Sequence, residues 1–135
     1  MSYRNTFIQI APDSLALSGV VPVSDRKPAP IHVIQYELLS QNPYCCTHED
    51  LVFEVYVRRQ GFLSEELAVH RAAIWDELFQ KGHPCLRASA LTKQCGWGAH
   101  YNQEGKIALY AVDSDEYRQF VATCPNLLTA LKSKR

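Results

Sequence analysis

Four prolines between residues 11 and 30 limit what the first quarter of this chain can form. Residues 6–10 (TFIQI) favour a β-strand, and the stretch that follows carries Pro12, Pro22, Pro28 and Pro30. Proline fixes φ and has no backbone N–H, so such a stretch suits neither a long helix nor a central strand. We therefore predict an N-terminal strand, an extended proline-containing connection over residues 11–30, and a strand that is free to join a sheet formed later in the chain.

Two helices are predicted directly after this connection. The first begins near Pro30, places Ile31, Ile34 and Leu38 on one face, and ends at Asn42 and Pro43. The second begins at Thr47 as N-cap and ends at Gly61. Its LVFEVYV core is rich in β-branched residues, which leaves helix and strand both open for residues 50–59.

A third helix is predicted over residues 64–81, with Ser64 as its N-cap. Leu67, Ile74, Trp75 and Leu78 form its apolar face. The pattern then changes: CLRAS (85–89) indicates a short strand, and ALTKQ a turn or a single helical turn. WGAHY and KIALYAV indicate two strands joined by the loop NQEG.

The chain closes with a helix capped by Asp113, Ser114 or Asp115 and a short amphipathic segment that contains Leu127, Leu128 and Leu131. The sum is an α+β fold, with a small antiparallel sheet (N-terminal strand plus C-terminal hairpin) packed against several helices. One domain over residues 1–135 accounts for this pattern, because 135 residues is the usual size of one domain.

Composition narrows the function classes. An apolar fraction of 47% excludes a disordered chain, and no apolar run approaches the ~18 residues that a membrane helix needs. Fourteen basic and fourteen acidic residues cancel, so we expect neither nucleic-acid nor membrane binding. The N-terminus lacks a signal-peptide pattern and the cysteine count of five is odd, which predicts a cytoplasmic protein with reduced thiols.

The densest group of polar side chains lies between residues 83 and 101. Arg87 and Ser89 would project to one side of a strand, and Lys93 would fold back from the following turn. Two glycines beside Trp97 would let a ligand approach the backbone closely. The pattern predicts a site for a small anionic ligand, a phosphate or a carboxylate, at these residues: Arg87, Ser89, Lys93, Trp97 and His100.

Two other function classes stay open. The aromatic fraction of 10% in a neutral chain fits a protein-interaction or homodimerising domain without a small-molecule site. The same polar group also fits a small hydrolase or transferase with His100 as base, and Cys95–His100 and His83–Cys85 are candidate thiol–imidazole pairs. The cysteine and histidine spacings match no known metal motif, and no cofactor is indicated.

Several stretches carry a resemblance to a known family. YRNTFIQIAPD, IQYELLSQNPY, EDLVFEVYVRR and CLRASALTKQCGWGAHYNQEGKIALY, with the closing KSKR, resemble a family of small bacterial and fungal proteins of unknown function, DUF6157. The resemblance covers nearly the whole chain and implies one full-length domain. It implies no activity, cofactor or catalytic residue. Cys95 and Ala90 depart from the aromatic residue and the proline expected there, which counts against a shared chemistry at Cys95.

Overall fold

A four-stranded sheet organises the chain in the computed structural model, which describes residues 3–133. The strands are β1 (Thr6–Gln9), β2 (Trp97–Tyr101), β3 (Ile107–Ala111) and β4 (Asn126–Thr129). The helices are α1 (Ile31–Gln41), α2 (His48–Gln60), α3 (Ser64–Leu78), the short α4 (Ala90–Lys93) and α5 (Asp115–Thr123). The α+β class, the N-terminal strand and the β2–β3 hairpin are confirmed.

The strand order is β3-β2-β1-β4, with β1 in the middle of the sheet. The pairs β1–β2 and β2–β3 are antiparallel, whereas β1 and β4 run parallel and align Phe7 with Leu127. The predicted antiparallel arrangement of the N-terminal strand and the hairpin is confirmed, and β4, which was predicted only as a short amphipathic segment, adds the parallel pair. Its cause lies in the connection: α5 carries the chain back along the sheet, and β4 then enters in the same direction as β1.

Helices cover both faces of the sheet. Ile8 lies in the main apolar cluster of the protein, together with Ile34 and Leu38 of α1 and Leu51 of α2. The neighbouring Phe7 contacts Tyr117 and Phe120 of α5, with ring centroids 4.9 and 5.2 Å apart. Because successive strand residues point to opposite faces, β1 is covered by α1 and α2 on one side and by α5 on the other. A strand buried on both faces explains why TFIQI is apolar without clean alternation.

Hydrogen bonds at the ends of α2 decide between helix and strand. The Thr47 Oγ1 accepts from the Asp50 N–H at 3.2 Å, and the Asp50 carboxylate accepts from the Thr47 N–H at 3.1 Å. Gly61 closes the helix in the left-handed region, with φ 68°. These reciprocal bonds satisfy the first free N–H groups, so residues 48–60 form a helix despite their β-branched content.

Helix α3 starts and stops differently from the prediction. Ser64 is its first helical residue rather than its cap, and the Glu66 side chain accepts from the Leu63 N–H at 3.3 Å instead. The helix ends at Leu78, three residues before the predicted end. Leu78 is also its only buried residue among those with described placement, so the apolar positions of this helix do not form a fully buried face.

The segment 85–89 is not a strand. Leu86–Ala88 form a single 3₁₀ turn, and Ser89 then caps α4 by accepting from the Leu91 N–H at 3.2 Å. The turn places Leu86 in the main apolar cluster, and burial of this side chain favours the turn. The predicted single helical turn at ALTKQ is confirmed as α4.

The proline-containing connection has no regular secondary structure but is tied to the sheet. Its backbone donates from Ala11 to the Thr92 carbonyl and from Val20 to the Cys95 carbonyl, at 3.0 and 2.8 Å. Leu15, Leu17 and Val23 are almost fully exposed. Over residues 3–133, no helix has both the length and the apolar character that spanning a bilayer requires.

Candidate functional site

A cavity of about 330 Å³ lies between α1, α2, the end of α3 and residues 83–90. Its apolar wall comes mainly from side chains such as Ile31, Val52, Val55 and Leu78. A few polar groups lie among them. Ligand sites in proteins are usually concave, mostly apolar and within this range of volume, so this is the strongest candidate for a binding site.

The permanently charged side chain in the cavity lining is a cation, Arg59. Arg59, His32 and His83 line the cavity, and no aspartate or glutamate does. The Arg59 Nε donates to the Ala29 carbonyl at 3.2 Å, which ties the guanidinium to the chain just before α1. Within residues 3–133 no carboxylate forms an ion pair with Arg59, whereas the adjacent Arg58 pairs with Glu37 at 3.6 Å. Arg59 therefore brings to the cavity a positive charge that no lining carboxylate offsets.

A hydrogen bond across the cavity wall joins α1 to the cap of α4. The Ser89 Oγ donates to the Gln35 Oε1 at 2.7 Å while accepting from the Leu91 N–H. Both Gln35 and Ser89 line the cavity and are half-buried. Because the Ser89 proton engages the amide oxygen, the NH₂ group of Gln35 keeps its donors for other partners.

The predicted pair His83–Cys85 does not form, although both residues line the cavity. The His83 Nε2 donates to the Leu78 carbonyl at 2.6 Å, and the Cys85 Sγ lies 3.6 Å from the Tyr3 hydroxyl. A carbonyl oxygen only accepts, so the Nε2 atom of His83 carries a proton. That bond holds the imidazole against the end of α3.

Four of the five residues predicted from sequence lie outside the cavity lining; Ser89 alone is part of it. The Arg87 Nε donates to the Thr129 carbonyl at 2.7 Å, so its side chain reaches β4 while Ser89 reaches α1. This divergence follows from the 3₁₀ turn at Leu86–Ala88, because two residues two apart share a side only on a strand. Lys93 is half-buried at the end of α4.

Trp97 and His100 lie on opposite faces of the sheet. The Trp97 ring contacts Tyr36 of α1 at 5.2 Å, and its indole N–H donates to the Val20 carbonyl at 2.8 Å. His100 stacks on Phe120 of α5, with ring centroids 4.1 Å apart. Three residues apart on one strand, these side chains cannot line one pocket.

His100 has partners other than a nucleophilic serine or cysteine. Its Nδ1 lies 2.8 Å from the Tyr44 hydroxyl, which also contacts the Tyr110 hydroxyl at 2.9 Å. Burial lowers the pKa of His100 and raises the pKa of the Cys95 thiol. A raised pKa leaves less thiolate at neutral pH, so Cys95 is a weaker nucleophile than an ordinary exposed cysteine.

None of Arg59, Gln35 and His32 was predicted from sequence as a site residue. The spacing of the α2 residues carried a usable signal, because Val52, Val55, Tyr56 and Arg59 follow the i, i+3, i+4, i+7 pattern of one helix face. A helix face that is apolar but ends in an arginine differs from a face that packs wholly in a core. Only the packing of α1 against α2, however, places His32 and Gln35 opposite it.

Over the described part of the chain, no three histidine, cysteine, aspartate or glutamate side chains lie close enough together to hold a metal ion. Comparison with curated proteins gave no match, and comparison with solved structures gave none either. Comparison with protein families matched residues 1–135, the whole length, to a single family. The chain therefore belongs to DUF6157, a family of unknown function.

Proposed function

We propose that this protein binds a small organic anion, a carboxylate or phosphate with an apolar body, in the cavity between α1, α2 and residues 83–90. The carrying observation is the lining: Arg59, His32 and His83 face an otherwise largely apolar space, and no carboxylate residue lines it. A carboxylate or phosphate would find a cation that no carboxylate of residues 3–133 neutralises.

The geometry of Arg59 supports an anion rather than a neutral ligand. Arg59 is exposed, and its Nε donates to the Ala29 carbonyl, which restrains the side chain and leaves the terminal nitrogens for a ligand. Guanidinium nitrogens bind carboxylate and phosphate oxygens in pairs, so a held guanidinium loses little side-chain freedom on binding.

The test is a thermal-unfolding screen of the full chain against four acids that differ in apolar body: acetate, benzoate, phenylacetate and phenyl phosphate. A ligand present at ~100 times its Kd adds about 2.7 kcal/mol of stability, which corresponds to a rise of several degrees in Tm. We expect at least one aromatic acid to raise the Tm and Arg59→Ala to remove that rise.

Arg58→Ala is the matched control, because Arg58 is the neighbouring arginine but pairs with Glu37 and does not line the cavity. It should keep the ligand-induced rise. The sequence-based site makes a different prediction, namely that Arg87→Ala and Lys93→Ala remove the rise while Arg59→Ala keeps it. The cavity proposal is overturned by that result, or by a screen in which no acid changes the Tm.

A homodimerising domain is the second candidate, and the exposed apolar side chains of α3 favour it. Val69 is 75% exposed, and Leu63, just before the helix, is 65% exposed. A second copy that packed on α3 would cover both. Sedimentation equilibrium over a hundredfold concentration range distinguishes the candidates: a mass that rises toward twice 15.3 kDa and reverts in Val69→Asp supports the dimer, and a constant mass rejects it.

A further inference from the structure

We infer that Gln35, held by Ser89, determines the specificity of the cavity for acceptor-only groups, so that the site selects a carboxylate over its uncharged primary amide. This inference rests on the proposed function and names the residue that discriminates between ligands. Gln35 would touch the ligand, and Ser89 would act through Gln35 as a positioning residue.

The Ser89 hydroxyl bonds to both the backbone of α4 and the side chain of Gln35. Its Oγ accepts from the Leu91 N–H at 3.2 Å, as the N-cap of α4, and donates its single proton to the Gln35 Oε1 at 2.7 Å. A free glutamine amide can turn either its oxygen or its nitrogen toward a ligand. In the structure the oxygen faces Ser89, and no residue within 3–133 accepts a hydrogen bond from the NH₂ group, so both N–H donors of the amide remain for the ligand.

The position of Ser89 is itself fixed. Its backbone carbonyl accepts from the Thr92 and Lys93 N–H groups at 3.2 and 3.0 Å, and Thr92 is fully buried. The hydroxyl thus comes from a capped turn rather than from a mobile loop. A donor held by such a frame discriminates between ligands, because a mismatched group leaves a polar atom unpaired in a half-buried site.

The Arg59 guanidinium and the NH₂ group of Gln35 both offer hydrogen-bond donors, and no acceptor, to a ligand. A carboxylate presents only acceptor oxygens and satisfies both. A primary amide of the same shape places an NH₂ group where at least one donor already points. The expected preference for the acid is tenfold or more, the usual consequence of one misplaced hydrogen bond to a charged group.

The experiment measures the ratio of the Kd of benzamide to that of benzoate, and of phenylacetamide to phenylacetate, by calorimetric titration of the full chain. We expect the wild type to favour both acids. Gln35→Glu puts an acceptor of the same shape at the site, so the ratio should fall at least tenfold. Gln41→Glu adds the same charge at the exposed end of α1, outside the cavity, and should leave the ratio unchanged.

Ser89 is tested by its own pair of variants. Ser89→Ala removes the hydroxyl that orients the amide, and the ratio should fall severalfold, whereas Ser89→Thr keeps the hydroxyl and should restore it. Loss of folding stability alone weakens the acid and its amide equally, so it does not move the ratio. Equal ratios in Ser89→Ala and the wild type overturn the positioning role.

The outcomes distinguish a failure of the proposed function from a failure of the inference about Gln35. If the wild type binds an acid, Arg59→Ala abolishes that binding and Gln35→Glu leaves the ratio unchanged, then the proposed function stands and the Gln35 inference fails. If the wild type binds neither an acid nor its amide, the proposed function fails and the inference with it.

Discussion

Helices α2 and α3 follow one another in the chain and have similar N-terminal signals, yet they are packed very differently. Each has two acidic residues in its first turn, Glu49 and Asp50 in α2 and Glu65 and Glu66 in α3. Helix α2 buries four side chains, whereas α3 buries only Leu78. From sequence, α3 had the clearer apolar face and α2 was ambiguous.

The reason is that α2 is covered on two sides. Leu51 and Val55 belong to the main apolar cluster, while Phe53 points the other way, toward α3. The Trp75 ring lies 5.0 Å from the Phe53 ring, and the Arg71 guanidinium lies 4.5 Å from it. A helix with partners on two sides is apolar around most of its circumference, so it lacks the single stripe that identifies a surface helix.

Helix α3 covers Phe53 of α2, and it does so through a small contact area around Trp75. Trp75 packs on Phe53 and Phe79, and Arg71 pairs with Glu54 at 3.6 Å. Apart from the buried Leu78 and the half-buried Leu67, Ile74 and Trp75, the side chains of the helix face solvent, including that of Val69. In these two helices, a regular apolar pattern therefore predicts the helix itself more reliably than how deeply the helix is buried.

The largest effect is expected where the two helices meet. Phe53→Ala removes a fully buried ring and should lower the free energy of unfolding by about 3–5 kcal/mol. Urea denaturation followed by circular dichroism measures this. A loss below about 1 kcal/mol would mean that α3 does not hold Phe53 out of water, and the view of α3 as a cover would be wrong.

The cap of α2 gives the next effect. Thr47→Ala removes the hydroxyl that accepts from the Asp50 N–H and should cost about 1 kcal/mol. Ser64→Ala is the matched change at α3, where the serine is already inside the helix and makes no capping bond; it should cost less than about 0.5 kcal/mol. Equal losses in the two variants would contradict the assigned helix starts.

A pH effect separates the buried from the exposed histidine of the two helices. His48, at the start of α2, is 8% exposed, and burial lowers its pKa, with Glu49 opposing and His83 adding to the shift. As the pH falls below about 6.5, the unfolded chain binds a proton before the folded chain does. The contribution of neutral His48 to the free energy of unfolding is therefore fully present above this pH and declines below it.

The measurement is the free energy of unfolding at pH 7 and pH 5. The decline between them should be smaller in His48→Gln than in the wild type, and part of it should persist because burial also lowers the pKa of His100. His70→Gln changes an exposed histidine of α3 and should leave the decline as it is. An unchanged decline in His48→Gln would show that its burial has no part in the pH response.

The smallest effect is expected on the outer side of α3. Val69→Ser changes a side chain that is 75% exposed and should alter the free energy of unfolding by no more than about 0.5 kcal/mol. Urea denaturation at two protein concentrations measures it. A loss above about 1 kcal/mol, or one that grows with concentration, would mean that this side of α3 is covered in solution.

The candidate site was less accessible to sequence reasoning than the fold. A strand at residues 85–89 would have aimed Arg87 and Ser89 together, and the 3₁₀ turn at Leu86–Ala88 sends them to β4 and α1 instead. Trp97 and His100 are close in sequence but lie on opposite faces of β2. The cavity draws instead on Gln35, Arg59 and Ser89, which lie far apart in the chain and meet only through helix packing.

Features that depend on a few neighbouring residues can be predicted from the sequence alone: the first strand, the β2–β3 hairpin, the proline-containing connection, and the ends of α2 at Thr47 and Gly61. Caps, turns and fixed φ angles act within four or five residues, so their signals are local. The parallel β1–β4 pair, the unequal burial of α2 and α3, and the cavity lined by Arg59 arise only from the packing of the folded chain. These features depend on contacts between residues that lie far apart in the chain. The sequence around either residue does not identify the residue that it contacts.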